Sequence, residues 1–492
     1  MRTYKQLNPM ISSKPQYTKK YILILFLFIS IAITLIAMIY YKDKPVYAKL
    51  YTSIPEEELT EFSEDFTSPL PIIEIETDGD LTNYAIPATG TMRVFNNIND
   101  INALTDMPSL KILNINLHIR GNSSFGFNKK GYHLELYDLF EKKLNYPLLN
   151  FPAESEWVLH GPYADKSLIR NYIAYNWGLQ IMDDYSSHAE FFELWQRGTG
   201  KELTSATYMG VYVLLEKIKV SANRVNIGNF TMTKEASEWF EQSGGYMIRR
   251  DHMDVREQGL VFTTDRGDLI TIYHPDGELL TEEVFDYITE EYQLFEDIIY
   301  GNEYLSEEKD GVAKYIDIDS FIDTLALNEL MRSVDGGRLS AYYYRDVGGK
   351  LKCGPIWDFD LAAGNADYNE NEDYKGFCVL YTLTYDELSK RKAFIDLFKE
   401  RWIELRKTVL SDDNIEAVID DAAEQLEPVQ ERNFDRWPEL FDGNTYIWPN
   451  PAPYTTSWER EISLLKNYLL KRAGWLDNNI DSLYDRANNF NE

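Results

Sequence analysis

Two hydrophobic periods divide this chain, and their order limits the fold more than any other feature. Leu113, Ile115, Leu117 and Ile119 alternate with polar residues, and so do Tyr132, Leu134 and Leu136. Period two marks half-buried strands. Tyr208 to Ile218 reads as a further strand, apolar at Val211, Val213, Leu214 and Leu215 and ending near Glu216. Gly244-Gly245 precedes a short strand, Tyr246 to Arg249. Helical spacing appears at Leu168, Ile169, Tyr172, Ile173 and Trp177, which predicts a helix capped by Asp165 and running to about Met182. Residues 280–300 read as an acidic helix, and Ser320 to Val334 as a largely buried one. Beyond about residue 385 the pattern is mostly helical. Strands first and helices later predict an α+β fold of two lobes with a cleft between them.

One segment stands outside this pattern. Tyr21 to Tyr41 carries no charge, and about 20 such residues cross a bilayer as a helix. Arg2, Lys5, Lys14, Lys19 and Lys20 precede it with no acidic residue, so the basic end is expected inside and the bulk of the chain outside. A cleaved signal peptide is the rival reading, with Val46-Tyr47-Ala48 as a passable cleavage site. The expected organisation is a cytoplasmic basic tail (1–20), a transmembrane helix (21–41), a juxtamembrane linker (42–68), a main domain (69–385) and a helical C-terminal region (386–492) packed on that domain. The expected location is a single-pass cell-membrane protein with its main domain extracytoplasmic.

The 80 acidic residues outnumber the 49 basic ones, for a net charge of −31, which argues against nucleic-acid partners. Any site for an anion must then be locally basic. Two cysteines, Cys353 and Cys378, make no disulfide framework; a single bridge and two unpaired thiols are both open.

The chemistry-bearing segment lies between Asp335 and Asp358. Leu339 to Arg345 reads as a tyrosine-rich strand, Val347-Gly348-Gly349 as a turn, and Lys350 to Trp357 as the return strand. A carboxylate before such a hairpin and another after it match the arrangement for phosphoryl transfer, in which one orients the attacking group and the other holds a metal. Trp357-Asp358-Phe359-Asp360 sets two carboxylates among bulky aromatics, which is unfavourable unless they are paired or metal-bound. On a strand Asp358 and Asp360 face the same side and can share an ion, and Asn365 can add an oxygen. The loop from Arg120 to Gly131 offers Gly121, Gly126, Ser123, Ser124, Lys129 and Lys130, residues suited to phosphate but also to an ordinary turn. Glu216 at its strand end can pair with Lys129 or Lys130, or simply face solvent. Other chemistries find little support. GTGK at 198–201 lacks the early glycine of a phosphate-binding loop and has Glu202 after it, and neither HExxH nor GxSxG occurs.

These segments together resemble the spore coat protein H (CotH) kinase-like family. The likeness rests on IRGNSSFGFNKKGYHLELYD, DKSLIRNYIAYN, GVYVLLEKIKV, GGYMIRRD, DIDSFIDTLALNELMRSVDGGRLSAYYYRD and GKLKCGPIWDFDLAAGN, collinear over about residues 110–366. The resemblance implies an atypical protein-kinase-like fold that binds ATP with Mg²⁺ or Mn²⁺ and phosphorylates serine or threonine of a surface or spore-coat protein. By position it implies Asp335 as the catalytic aspartate and Asp358 as the metal ligand, with Asp360 a second metal candidate. It also implies Lys129 or Lys130 at the phosphates and Glu216 in the nucleotide site, and the loop reading adds Arg120, Ser123 and Ser124 as nucleotide-binding candidates. Ordinary protein kinases place a metal-binding Asn five residues after the catalytic Asp; here that position is Ser340. A kinase-like scaffold serving adhesion or envelope assembly, and AMP transfer by the same site, remain alternatives.

Overall fold

The computed structural model describes residues 66–490, apart from 80, 82–85, 98–100, 234–241, 253–260, 302–311, 444, 446 and 448–454. The basic tail, the apolar run 21–41 and most of the expected linker lie outside the described residues. Among the described residues no helix is long and apolar enough to cross a membrane.

The first strands in chain order are β1 (Thr67–Ser68), β2 (Ile72–Asp78), β3 (Ala88–Phe95), β4 (Asn102–Ala103), β5 (Leu110–Arg120), β6 (Gly131–Leu136) and β7 (Glu156–His160). After helix α1 (Arg170–Ile181) come β8 (Ala189–Gly198) and β9 (Tyr208–Glu216). Strands β1 and β4 pair with each other, and the rest close a barrel in the order β2-β3-β5-β6-β7-β9-β8. Its seam is the parallel pair β2 and β8. Strand β9 is apolar without interruption because both its faces are buried. Tyr212 and Leu214 join Leu117, Leu134 and Trp157 inside the barrel, while Val211, Val213 and Leu215 pack outward on the helices.

A second, five-stranded sheet has the order β11-β12-β10-β13-β14. It comprises β10 (Tyr246–Arg250), β11 (Val261–Thr263), β12 (Leu269–His274), β13 (Ala341–Arg345) and β14 (Leu351–Cys353). Around it lie α2 (Glu282–Tyr300), α3 (Ile318–Met331), α4 (Leu383–Leu388), α5 (Lys392–Lys407), α6 (Asp412–Arg436), α7 (Trp458–Asn479) and α8 (Leu483–Phe490). The fold is mixed α+β. One core unites Ile173 of α1, Ile248 of β10, Leu325 of α3, Leu426 of α6 and Leu469 of α7 with the outer barrel wall.

Several sequence expectations shift for local reasons. Leu113, expected inside, is 53% exposed. A bulge, where Gly90 pairs with Ile115 but Met92 with Ile112, resets the alternation and buries Ile112 instead. Helix α1 starts at Arg170 rather than at Asp165, because Leu168 takes a left-handed φ of 69°. Asp165 still serves the helix start: its carboxylate accepts the N–H groups of Ser167 (3.0 Å) and Arg170 (2.8 Å). Helix α3 ends at Met331, followed by Arg332 at a φ of 45°, so Asp335 lies in a turn beyond it. The return strand β14 stops at Cys353, and Trp357 to Asp360 belong to a loop. Cys353 and Cys378 are unpaired.

Candidate active site

A cleft of about 420 Å³ opens between the β5–β6 loop and the turns that flank the β13–β14 hairpin. Arg120, Ser123 and Ser124 line one wall, and Asp335, Asp358 and Asp360 the other. Ser123 to Gly126 forms a single 3-10 turn. Gly121 enters it at a φ of 106°, and a Cβ there would sit 2.0 Å from the Ser124 hydroxyl oxygen. Only glycine suits that position. The loop is held from beneath by Lys130, whose Nζ donates to the Phe125 carbonyl (2.7 Å).

Asp335 follows the left-handed end of α3 and lies 3.4 Å from the Arg338 guanidinium. Burial raises its pKa, against Arg338 and His252. Asp358 has a left-handed φ of 69°, a strained state for a side-chain-bearing residue. Its N–H donates to the Tyr175 hydroxyl (3.3 Å), and its carboxylate accepts the Ser340 hydroxyl (3.1 Å). This twist, rather than a continuing strand, sets Asp358 and Asp360 on the same cleft wall. Asp358 is exposed to the cleft, although neighbouring protein crowds it. That desolvation raises its pKa first, then the like charges of Asp360 and Asp335, with Arg120 and Ser340 opposing. Exposure to the cleft tempers the first cause, while the like charges act regardless.

Asp360 is raised by burial and then by Asp165. Asn171 donates to its carboxylate and accepts the Phe359 N–H (3.0 Å). His160 Nε2 lies 3.3 Å from Asp360 Oδ1. Burial and then Arg120 lower the His160 pKa to about 4, so its imidazole is neutral at pH 7. Among the described residues, neither Asp358 nor Asp360 has a lysine or arginine at salt-bridge distance. Two adjacent carboxylates without a cation, each favouring protonation, are the chemistry that a bound divalent ion satisfies. The donor set therefore fits a divalent ion that takes oxygen ligands. Arg120, stacked 5.3 Å over the Trp357 ring, supplies positive charge on the facing wall.

A family model described as CotH kinase protein matches residues 117–476. The chain belongs to the CotH kinase family. No curated protein matches it. The match runs well past residue 366, through α6 and most of α7. The family's kinase-like character implies use of a nucleotide and a metal in general terms.

Four residues expected at the CotH site lie elsewhere. Glu216 pairs with neither Lys129 nor Lys130. It is fully buried, 2.6 Å from Arg224 Nη1, and accepts the His188 N–H at 3.0 Å. An acid at a strand end in a closed barrel meets neighbouring strands and loops, not solvent. Lys130 holds the loop and does not line the cleft. Lys129 points back into the fold and donates to Asn433 Oδ1 of α6 (2.8 Å). Asn365 braces the Asp360 loop from behind, donating to the carbonyls of Ala164 (3.1 Å) and Asp360 (2.7 Å). Conversely, His160, Asn171, Arg249, Arg338 and Tyr368 stand at or against the cleft without having been singled out. A histidine ending the apolar run Trp157-Val158-Leu159 was the one local sign of His160.

Lys129 carries a prediction of its own. Burial drives its pKa well below the usual lysine range, against a weaker pull from Asp165. Lys129→Met is expected to stabilise the fold by about 1–3 kcal/mol near pH 7 by removing a buried ionisable group. Between its folded and unfolded pKa, the unfolded chain binds a proton that the native one does not, so wild-type stability climbs with pH. The advantage of the methionine variant should thus shrink from about pH 7 to about pH 10. Urea midpoints at both pH values measure this, and nucleotide binding should stay unchanged.

Proposed function

We propose that this chain is a membrane-anchored, kinase-like phosphotransferase. It moves the γ-phosphate of ATP, with Mg²⁺ or Mn²⁺, to serine or threonine of a cell-surface or spore-coat protein. One observation carries the reading: Asp335 meets the cation-poor pair Asp358 and Asp360 in one cleft, under a loop bearing Arg120, Ser123 and Ser124. The uncharged run from Tyr21 to Tyr41 supports the anchor.

Asp335 orients the acceptor hydroxyl and takes its proton. The acceptor oxygen bonds to the γ-phosphorus as the bond from that phosphorus to the β–γ bridging oxygen breaks, and ADP leaves. Asp358 and Asp360 hold the divalent ion, Ser340 and Asn171 fix those two carboxylates, and Arg120 faces the phosphates. A bound divalent ion supplies charge neutralisation at the phosphate oxygens. The residues contribute mainly positioning and electrostatics.

The test uses the full chain in detergent with Mn²⁺, a generic protein acceptor, and ATP labelled at the γ- or the α-phosphate. Label from the γ position alone is expected. Label from the α position means AMP transfer and overturns the kinase reading. No transfer, with no nucleotide binding by calorimetry, overturns it in favour of an adhesion or assembly scaffold.

A further inference from the structure

The outer barrel wall carries a second group of ligating side chains, apart from the carboxylates of the cleft. His118 on β5 stands opposite His133 on β6, and Glu135 on β6 opposite Glu156 on β7. Alternation places all four on the outer face, since Ile119 and Leu134 point into the barrel core. Arg120, two residues along β5 from His118, shares that face and reaches the cleft.

One donor atom each from His133, Glu135 and Glu156 lies within 4.8 Å of the other two. A divalent ion with bonds of about 2.0–2.2 Å gathers tetrahedral ligands about 3.3–3.6 Å apart, so the three side chains draw in by up to about 1.5 Å to take one. His133 Nε2 is buried, has no hydrogen-bond partner, and lies 3.6 Å from Glu156 Oε1. His133 Nδ1 lies 2.8 Å from His118 Nε2. Such a contact on the far nitrogen fixes the tautomer and ring plane of a ligating imidazole.

The carboxylates are meanwhile neutralised by lysines. Lys219 lies 2.7 Å and Lys217 3.3 Å from Glu156, and Lys143 bonds Glu135. These lysines are long and partly exposed, so they can turn to solvent when a dication takes their place.

We infer that His133, Glu135 and Glu156 form a second divalent site of the zinc class, with His118 orienting His133 and the three lysines holding the carboxylates until the ion displaces them. One imidazole and two carboxylates with an open position suit zinc better than magnesium. An ion here ties β6 to β7 directly beneath the loop that bears Arg120.

The test is calorimetric titration of Zn²⁺ into the full chain in an Asp358→Asn background, so that the cleft does not contribute. One zinc per chain is expected. His133→Ala or Glu156→Gln should weaken it at least about tenfold, a loss of roughly 1.4 kcal/mol. Lys219→Met should tighten it, because a competing cation is gone. Absence of zinc binding in that background, or binding unaltered by His133→Ala, overturns the site and leaves a plain ion-pair cluster. Circular dichroism checks folding, and Glu135→Gln carries the same test if His133→Ala does not fold.

Discussion

Asp335→Ala is expected to lower phosphate transfer by about 10²–10⁴-fold while nucleotide and metal still bind, the loss typical of a removed general base. Asp358→Ala should differ in kind: metal-dependent nucleotide binding itself should disappear, because Asp360 alone is left to face the ion. Single-turnover transfer and calorimetry with Mn²⁺ separate the two effects. Asp335 lies in a turn, partly open to the cleft, so its replacement leaves the core intact. Normal transfer by both variants would remove these aspartates from the mechanism.

The largest stability effect is expected at Glu329, near the end of α3. Its carboxylate accepts the N–H groups of Cys378 (3.1 Å) and Leu380 (2.6 Å) and pairs with Arg472 of α7 at 2.6 Å. Arg472 also donates from Nε to the Glu329 carbonyl (2.8 Å) and from Nη1 to the Tyr374 carbonyl (2.9 Å). Both side chains are fully buried. Glu329→Ala strands a buried guanidinium and two amides, so a loss of about 3–5 kcal/mol is expected. A Glu329→Leu, Arg472→Met pair should lose less, since no charge is left behind, although the two amides stay unpaired. Chemical denaturation of the three proteins measures the difference. Because the Glu329 carboxylate anchors Cys378 and Leu380, close to the Asp335 turn, weakened transfer should accompany its loss in both variants.

Elements with one wet face are legible from the sequence. Strand β6 alternates cleanly because Tyr132, Leu134 and Leu136 fill the barrel while Glu135 meets water and lysine. Helix α2 announces itself through Thr281, whose hydroxyl caps it, and the acids Glu282 and Glu283. Partnerships made in three dimensions are not legible. Glu216 finds Arg224 through a loop, and no strand-end pattern names that partner. Lys129 and Lys130 are adjacent in a basic loop, yet one turns into the fold and the other grips the loop. Asp358 and Asp360 do share a wall of the cleft, but through a left-handed residue that period-two reasoning does not contain. The six histidines look scattered along the chain, and only the β5–β6 register brings His118 to His133.

Asn433 of α6 has a consequence for how the chain is made. Its side-chain oxygen accepts the Val211 N–H (3.0 Å) and an N–H of Lys129, and it fills the space over Gly210, where a Cβ would meet it at 2.5 Å. Val211 leaves the ribosome 222 residues earlier than this partner. Full packing around Lys129 and Val211 therefore needs a residue from the last eighth of the chain. Contacts so distant in sequence are slow to form. A chain made in order from its N-terminus would finish packing there only once its final helices had followed.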